Sequence, residues 1–395
     1  MAEVKTERKS GFALFNYGFR PFYLLGALFA GIIIPYWGLT YLGQFTPVQP
    51  EIPMDIWHAH EMLFGFIAAI VTGFLFTAVS NWTGYPLPKG KLLAAFCFIW
   101  IIARLQFSLQ IHPWLNIADM IFMPCVTIAV AINIIKAKNY KNFIVIALIL
   151  GLSLLNIAFY IYLNNDDLDK MRTMLLGAIN AITILLAIIG GRVIPAFTNN
   201  TIPDASPVSS RILNISALFS LFALFLGELF LPENATFTLT IITGLAFVCN
   251  AMRFLLWETL KTLRTPLLWI LHLGYIWILI SLALKTTYYL GLDIPYSLSI
   301  HAVTIGAIGS LTLGMMVRST KGHTGRPLST HIYDITIFTL INIAALVRVA
   351  GGIAFEDNIR ETVLISAVMW SIAFMLFSII YLIPLTTSRA DGKPG

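Results

Sequence analysis

The amino-acid sequence predicts an all-α fold, a polytopic bundle of about twelve transmembrane helices. Two observations support this class. Of the 395 residues, 58% are hydrophobic and only 11% are charged, whereas soluble domains carry about 25% charged residues. Apolar stretches of about 20 residues, long enough to cross a bilayer, also recur along the whole chain. The composition excludes a soluble enzyme, a disordered chain and a disulfide-rich secreted domain.

The apolar stretches define the predicted spans in order. They cover residues 21–43, 57–80, 91–110, 114–136, 142–163, 172–197, 209–231, 236–260, 266–290, 296–317, 331–353 and 361–384. The loops between them are too short to form domains, so residues 1–395 are predicted to be a single integral-membrane domain. Any chemistry must therefore take place within the membrane or at its edge.

The number of Lys and Arg residues alternates between high and low from one loop to the next. One set of helix ends carries most of the 25 Lys and Arg residues, beginning with Lys5, Arg8 and Lys9. The opposite set carries Lys170, Arg172, Lys285 and Arg360. Because cytoplasmic loops are enriched in Lys and Arg, both termini are predicted to be cytoplasmic. The first span is interpreted as retained, because no signal-peptide cleavage pattern follows the basic start.

The second and tenth predicted spans align with each other. Residues 60–87 and 301–328 match with a shift of 241 positions (301 − 60), and His60 falls on His301. Since the sixth span lies midway, an offset of eight spans predicts a four-helix unit used three times about a pseudo-threefold axis. The alternative is a chance match, because Gly and Pro are common in membrane helices.

Ionisable side chains from several spans share one layer near the predicted outer surface. At about 1.5 Å per residue they lie within about 10 Å of that boundary, and such groups often mark a pathway or a cofactor. The layer contains His58, His60, Glu61, Arg104, Asp119, His301 and Arg348.

This layer has the chemistry of a haem site. Two equivalent histidines, His60 and His301, suit a six-coordinate haem iron, and Arg104 and Arg348 are candidates to pair with its propionates. The alternative is that these groups pair with one another inside the bundle. Since there is no C-x-x-C-H motif, covalent attachment is not indicated, and the predicted cofactor is non-covalent haem b.

Two interpretations remain open for His58, and two remain open for a group of three histidines near the cytoplasmic face. His58 points about 200° away from His60 on a regular helix, so it either binds a second metal such as copper or caps the helix entrance. His272, with His323 and His331, either forms an inner metal or haem site or makes ordinary helix-interface and loop contacts. Soluble catalytic motifs and long basic runs typical of nucleic-acid binding are absent from the sequence.

Several motifs closely resemble the NnrS family, and together they cover nearly the whole chain. They are residues 15–22 (FNYGFRPF), 57–65 (WHAHEMLFG), 191–195 (GRVIP), 271–275 (LHLGY), 301–309 (HAVTIGAIG) and 322–328 (GHTGRPL). The resemblance implies a bacterial inner-membrane protein of twelve spans that contains haem and copper and takes part in the response to nitric oxide. It also implies metal ligands among His58, His60, His272, His301 and His323.

The repeat with histidines on the second and tenth spans is similar to haem–copper oxidase subunits. The sixth and seventh spans carry no histidine, however, and this departs from the oxidase copper centre. Three hypotheses remain: a haem protein that converts nitric oxide with an unknown electron donor and with Glu61 as a candidate proton donor, a non-catalytic haem-based sensor, and a secondary transporter. Against the transporter, the common design repeats after six spans.

Overall fold

A computed structural model describes residues 11–46, 52–109, 112–232 and 234–393. Within them, 12 helices are long and apolar enough to cross a membrane. They are α1 (Phe19–Tyr41), α2 (Met54–Thr83), α3 (Lys91–Leu109), α4 (Pro113–Lys136), α5 (Tyr140–Leu163), α6 (Leu168–Thr201), α7 (Arg211–Phe230), α8 (Thr236–Leu255), α9 (Pro266–Tyr289), α10 (Tyr296–His323), α11 (Ile332–Ala354) and α12 (Ile359–Thr386). The predicted all-α class and the twelve spans are confirmed; Lys5, Arg8 and Lys9 lie outside the described residues.

The two largest differences between helix ends and predicted spans have reasons visible in the backbone. Helix α8 stops at Leu255, five residues early, and Glu258 then adopts a left-handed conformation with φ of 53°. Helix α10 runs to His323, six residues further than predicted, and the chain turns at Gly325 with φ of 70°. Hydropathy does not detect either end, because each depends on one turn residue.

Helices α2, α6 and α10 form the centre of the bundle. In their most apolar windows 78%, 72% and 72% of the residues are buried, against 28% in α7. These three helices are the ones that the predicted repeat makes equivalent. The centre of the protein is therefore built from one helix of each predicted four-helix unit.

The backbone of α2 and α10 repeats in detail. Each helix contains a seven-residue π-helical segment, Glu61–Ile67 in α2 and Ala302–Ile308 in α10, and these segments are related by the same shift of 241 positions (302 − 61). The glycines that follow the two helices, Gly84 and Gly325, both have positive φ. The structure thus supports the equivalence of these spans beyond a chance match of residues.

The two ends of the described chain meet at one end of the bundle. Arg20 at the start of α1 is completely buried and donates hydrogen bonds to the carbonyl oxygens of Pro384, Leu385 and Thr387 at distances of 2.8 to 3.2 Å. A guanidinium at this position satisfies the carbonyl groups that the last turn of a helix leaves free. Helix α12 is thereby fixed to α1, and the bundle closes.

Candidate functional site

A cavity of about 360 Å³ lies between the central helices at the predicted outer end of the bundle. We call it the outer cavity. Its walls come from α1, α2, α6, α10, α11 and α12, and most of its lining is apolar, including Met62, Phe66 and Ile308. Cofactor sites in proteins have this character, mostly apolar walls with a few polar groups.

Two histidines line the outer cavity, His58 from α2 and His301 from α10. The His301 Nδ1 atom lies 2.6 Å from the carbonyl oxygen of Ser297. That contact places the ring proton on Nδ1 and leaves the lone pair on Nε2. The His58 ring stacks on the indole of Trp37, with 4.3 Å between the ring centres. Both imidazoles are thus held in position by neighbours.

The outer cavity also contains two buried hydrogen-bond donors without partners. Arg348 from α11 and Trp370 from α12 line it, and only 9% and 4% of their surfaces are exposed. Within the described residues, neither Arg348 Nη1 nor Trp370 Nε1 has a hydrogen-bond partner. Because unpaired buried donors are costly, this part of the cavity is suited to an anionic group.

A second polar site, which we call the ionic cluster, lies on the other side of α2. Arg104 from α3 donates to the carboxylates of both Glu61 and Asp119, and all three are almost completely buried. The Tyr160 hydroxyl donates to Asp119 Oδ2 at 2.8 Å. Arg104, predicted to pair with a haem propionate, is therefore already neutralised by side chains of this chain.

His60 belongs to the ionic cluster. Its Nε2 atom lies 3.1 Å from Asn156 Oδ1 and 3.3 Å from Asp119 Oδ2. Its ring stacks on Phe107 at 4.0 Å between centres and packs on Phe159 at 4.5 Å. No part of its surface is exposed.

The structure does not bring His60 and His301 together. His301 lines the outer cavity, whereas His60 is absent from its lining and lies among α3, α4 and α5. Positions two apart project to opposite sides of a helix, so only one of His58 and His60 can face the central cavity, and it is His58. The predicted pair of His60 with His301 is replaced by His58 with His301. Glu61 likewise contacts Arg104 and not the cavity.

The histidines near the opposite end make ordinary packing contacts. His272 Nε2 lies 3.0 Å from Thr198 Oγ1, and its Nδ1 lies 2.9 Å from Thr259 Oγ1. His323 packs against the ring of Phe19. Within the described ranges, no group of three or more His, Cys, Asp or Glu side chains is arranged to hold a metal. This geometry favours the interface interpretation of His272 over the predicted inner metal site.

An ion pair that the sequence analysis missed joins α7 to α9. Glu228 of α7 and Lys285 of α9 lie 2.7 Å apart and are both buried. Asn180, Tyr289 and Tyr296 also hydrogen-bond to Glu228. Lys285, which the sequence analysis counted with the outer loops, lies inside α9. The sequence signal that could have predicted this ion pair is the acidic residue Glu228 near the end of an apolar span.

The fold and its sites define a multi-pass helical membrane protein with a mostly apolar cavity, lined by a few polar groups, among its central helices. A sequence model of the family described as "NnrS protein" matches residues 13–389, nearly the whole chain. The protein therefore belongs to the NnrS family, and the resemblance found in its motifs is confirmed. No curated protein matches the chain.

Proposed function

We propose that the outer cavity binds haem b and that this NnrS-family protein takes part in nitric oxide metabolism or in resistance to nitrosative stress. One observation supports the proposal above the others. Two imidazoles, His58 and His301, line a single apolar cavity that also holds unpartnered buried donors.

The imidazoles fit haem iron by their chemistry. A histidine that ligates a metal commonly donates its other ring N–H to a carbonyl group, which fixes the tautomer. His301 has this contact with Ser297. His58 is the second candidate ligand, and it is also the candidate for a copper ion, as the sequence analysis left open. We propose no role for His60, His272 or His323 as cavity ligands.

The unpartnered donors fit the carboxylates of haem. Arginine pairs strongly with carboxylates, and charge-assisted hydrogen bonds are stronger than neutral ones. Arg348 and Trp370 are two such donors in one cavity, and no partner is described for Arg348 Nη1 or Trp370 Nε1. They would hold and orient the propionate side of the cofactor.

Bound haem would supply an iron centre to which nitric oxide can bind. The chain itself supplies the apolar walls, which exclude water and admit a small apolar gas from the bilayer. A redox conversion that consumes protons would need a proton donor near the cavity, and a carboxyl group is one such donor. Asp55 lines the cavity, so it replaces Glu61 as the candidate donor.

An optical spectrum of the protein purified from haem-replete cells tests this proposal. We expect a Soret band that is lost or shifted in His301→Ala and in His58→Ala. His112→Ala removes an exposed histidine and should leave the band unchanged. A folded but colourless protein would overturn haem binding and favour the transporter; loss of the band in His60→Ala but not in His58→Ala would restore the pairing predicted from sequence.

Nitric oxide added to the coloured protein then separates the remaining roles. A spectral shift with consumption of the gas indicates an enzyme, and a shift without consumption indicates a sensor. No spectral change would contradict nitric oxide as the ligand of this site.

A further inference from the structure

Two adjoining cavities open at the end of the bundle where most Lys and Arg residues lie. The first has a volume of about 540 Å³ and lies between the ends of α5, α6, α7 and α8. The second is wider, about 960 Å³. They share Arg192, Ser209 and Asn214, so we treat them as one feature and call it the basic groove.

The basic groove is strongly cationic. Its lining includes Lys141, Arg192, Arg211 and Arg253, and no carboxylate is among its described lining residues. In the described part of the chain none of these four forms an ion pair. Four cations without a counter-ion at one place repel each other, so the groove is suited to an anion.

The carboxyl group of Glu258, in the loop after α8, is occupied elsewhere. It lies 3.0 Å from Lys261 and accepts the backbone N–H of Ser206 at 2.7 Å. The hydrogen bond from Lys261 lowers the pKa of this carboxyl. Glu258 is thus paired within its own loop and does not neutralise the groove.

Arg253 is the buried part of the basic groove. Only 3% of its surface is exposed, and its guanidinium lies against the rings of Trp257 and Tyr275 at 5.2 and 5.4 Å. It donates to the carbonyl oxygen of Ala187 at 2.5 Å, while its Nε has no partner among the described residues. A guanidinium held this far inside the protein, with a free donor and no carboxylate, indicates a built anion site.

Glycine at position 191 makes room for that guanidinium. A Cβ atom there would lie 2.0 Å from Arg253 Nη2 and 2.7 Å from its Cζ, so any larger residue must displace the arginine. The position of Arg253 therefore depends on the absence of a side chain at Gly191 in α6.

The rest of the first cavity is apolar. Ile144, Ile188 and Leu218 line it beside the charged groups. A wall of this kind next to cations suits a molecule with both an anionic head and a hydrocarbon chain. In a membrane protein, basic pockets between helices at the cytoplasmic side recognise the headgroups of anionic lipids.

We propose that the basic groove is a specific site for the phosphate headgroup of an anionic phospholipid, with its acyl chain along the apolar wall. The site lies at the opposite end of the bundle from the outer cavity and does not depend on haem binding. A free phosphate has the same headgroup chemistry but no chain, so the test must separate the two.

Lipid binding to the delipidated full-length protein, followed by native mass spectrometry, tests the proposal. We expect saturable binding of phosphatidylglycerol and much weaker binding of phosphatidylcholine. The double variant Lys141→Gln/Arg192→Gln should weaken phosphatidylglycerol binding about tenfold or more. Each cation near an anionic headgroup adds to the electrostatic attraction, and this variant removes two of them. Both side chains are exposed, so the variant should remain folded.

Two further variants make the test specific. Arg264→Gln removes an exposed cation at the same end of the bundle but outside the groove, and it should bind like the unchanged protein. Gly191→Ala keeps every charge but displaces Arg253, and it should also weaken binding. Equal binding of the two lipids, equal binding by the double variant, or displacement of phosphatidylglycerol by equimolar inorganic phosphate would overturn the lipid assignment.

Discussion

Arg104 is the residue on which the ionic cluster depends. It contacts two carboxylates from different helices, Glu61 and Asp119, while Tyr160 and His60 complete the surroundings of Asp119. Charged groups inside a bundle are stable only when they are paired. One guanidinium therefore joins α2, α3 and α4 near the predicted outer surface.

Replacing this arginine should destabilise the protein strongly. In Arg104→Met, two carboxylates lose their shared cation in a buried site, and we expect a loss of about 3–5 kcal/mol. Thermal unfolding in detergent measures it, with Arg264→Gln as the control. The triple variant Glu61→Gln/Arg104→Met/Asp119→Asn should recover part of the loss because it leaves no unpaired charge. An unchanged melting temperature in Arg104→Met would contradict the ionic cluster.

The sequence predicted which residues make the polar layer, but not which of them belong to the outer cavity and which to the ionic cluster. His58, His60, Arg104 and Arg348 share a depth, and depth follows from position along a helix. Which of them face the same space depends on helix rotation and on neighbours distant in sequence. Trp370, a donor in the outer cavity, carries no polar signal within an apolar span.

At the scale of elements, α2 and α10 each contain a π-helical segment that contributes residues to the lining of the outer cavity. Each segment begins directly after a histidine, at Glu61 and at Ala302. A π-helical turn changes the rotation of the residues that follow and often occurs at functional sites. No hydropathy pattern predicts such a turn, although the repeat predicts that two equivalent helices share their local structure.

Close packing of the π segments depends on equivalent glycines. A Cβ at Gly306 would lie 2.3 Å from the Trp277 ring, and one at Gly65 would lie 2.7 Å from Phe29. Helix α10 thus approaches α9 as α2 approaches α1. This is a second structural trace of the eight-span repeat.

Gly306→Ala should therefore destabilise the bundle by about 1–3 kcal/mol, as extra volume does in a packed core. Gly151→Ala is the matched control, because a Cβ there meets no atom within 4 Å, and alanine is a better helix former than glycine where it displaces nothing. Thermal unfolding of both variants in the same detergent measures the difference. Equal melting temperatures would show that α9 and α10 can separate without cost.

At the scale of the whole molecule, each four-helix unit places a polar group at the same position of its central helix. Asn180 follows His60 by 120 positions (180 − 60) and precedes His301 by 121 (301 − 180). His60 lies in the ionic cluster, Asn180 contacts the pair of Glu228 and Lys285, and His301 lines the outer cavity. These polar groups of α2 and α6 are paired with side chains of neighbouring helices, whereas Arg348 and His301 face a cavity.

The arrangement of the twelve helices gives a last prediction about orientation. An even number of spans places both ends of the chain on one side of the membrane, and the alternation of Lys and Arg predicts that this side is the cytoplasm. Asn165 lies in a loop that is predicted to lie outside, and Lys136 is the last residue of α4, at its predicted inner end. Both side chains are exposed.

Cysteine labelling in intact cells measures this orientation. In a background where Cys97, Cys125 and Cys249 are replaced by alanine, Asn165→Cys should react with a membrane-impermeant maleimide. Lys136→Cys should react only after the membrane is opened, because the reagent cannot cross it. The reverse pattern would show that the predicted orientation is wrong. The outer cavity would then lie on the cytoplasmic side and the basic groove in the opposite leaflet. Labelling of both sites in intact cells would contradict the count of spans between them.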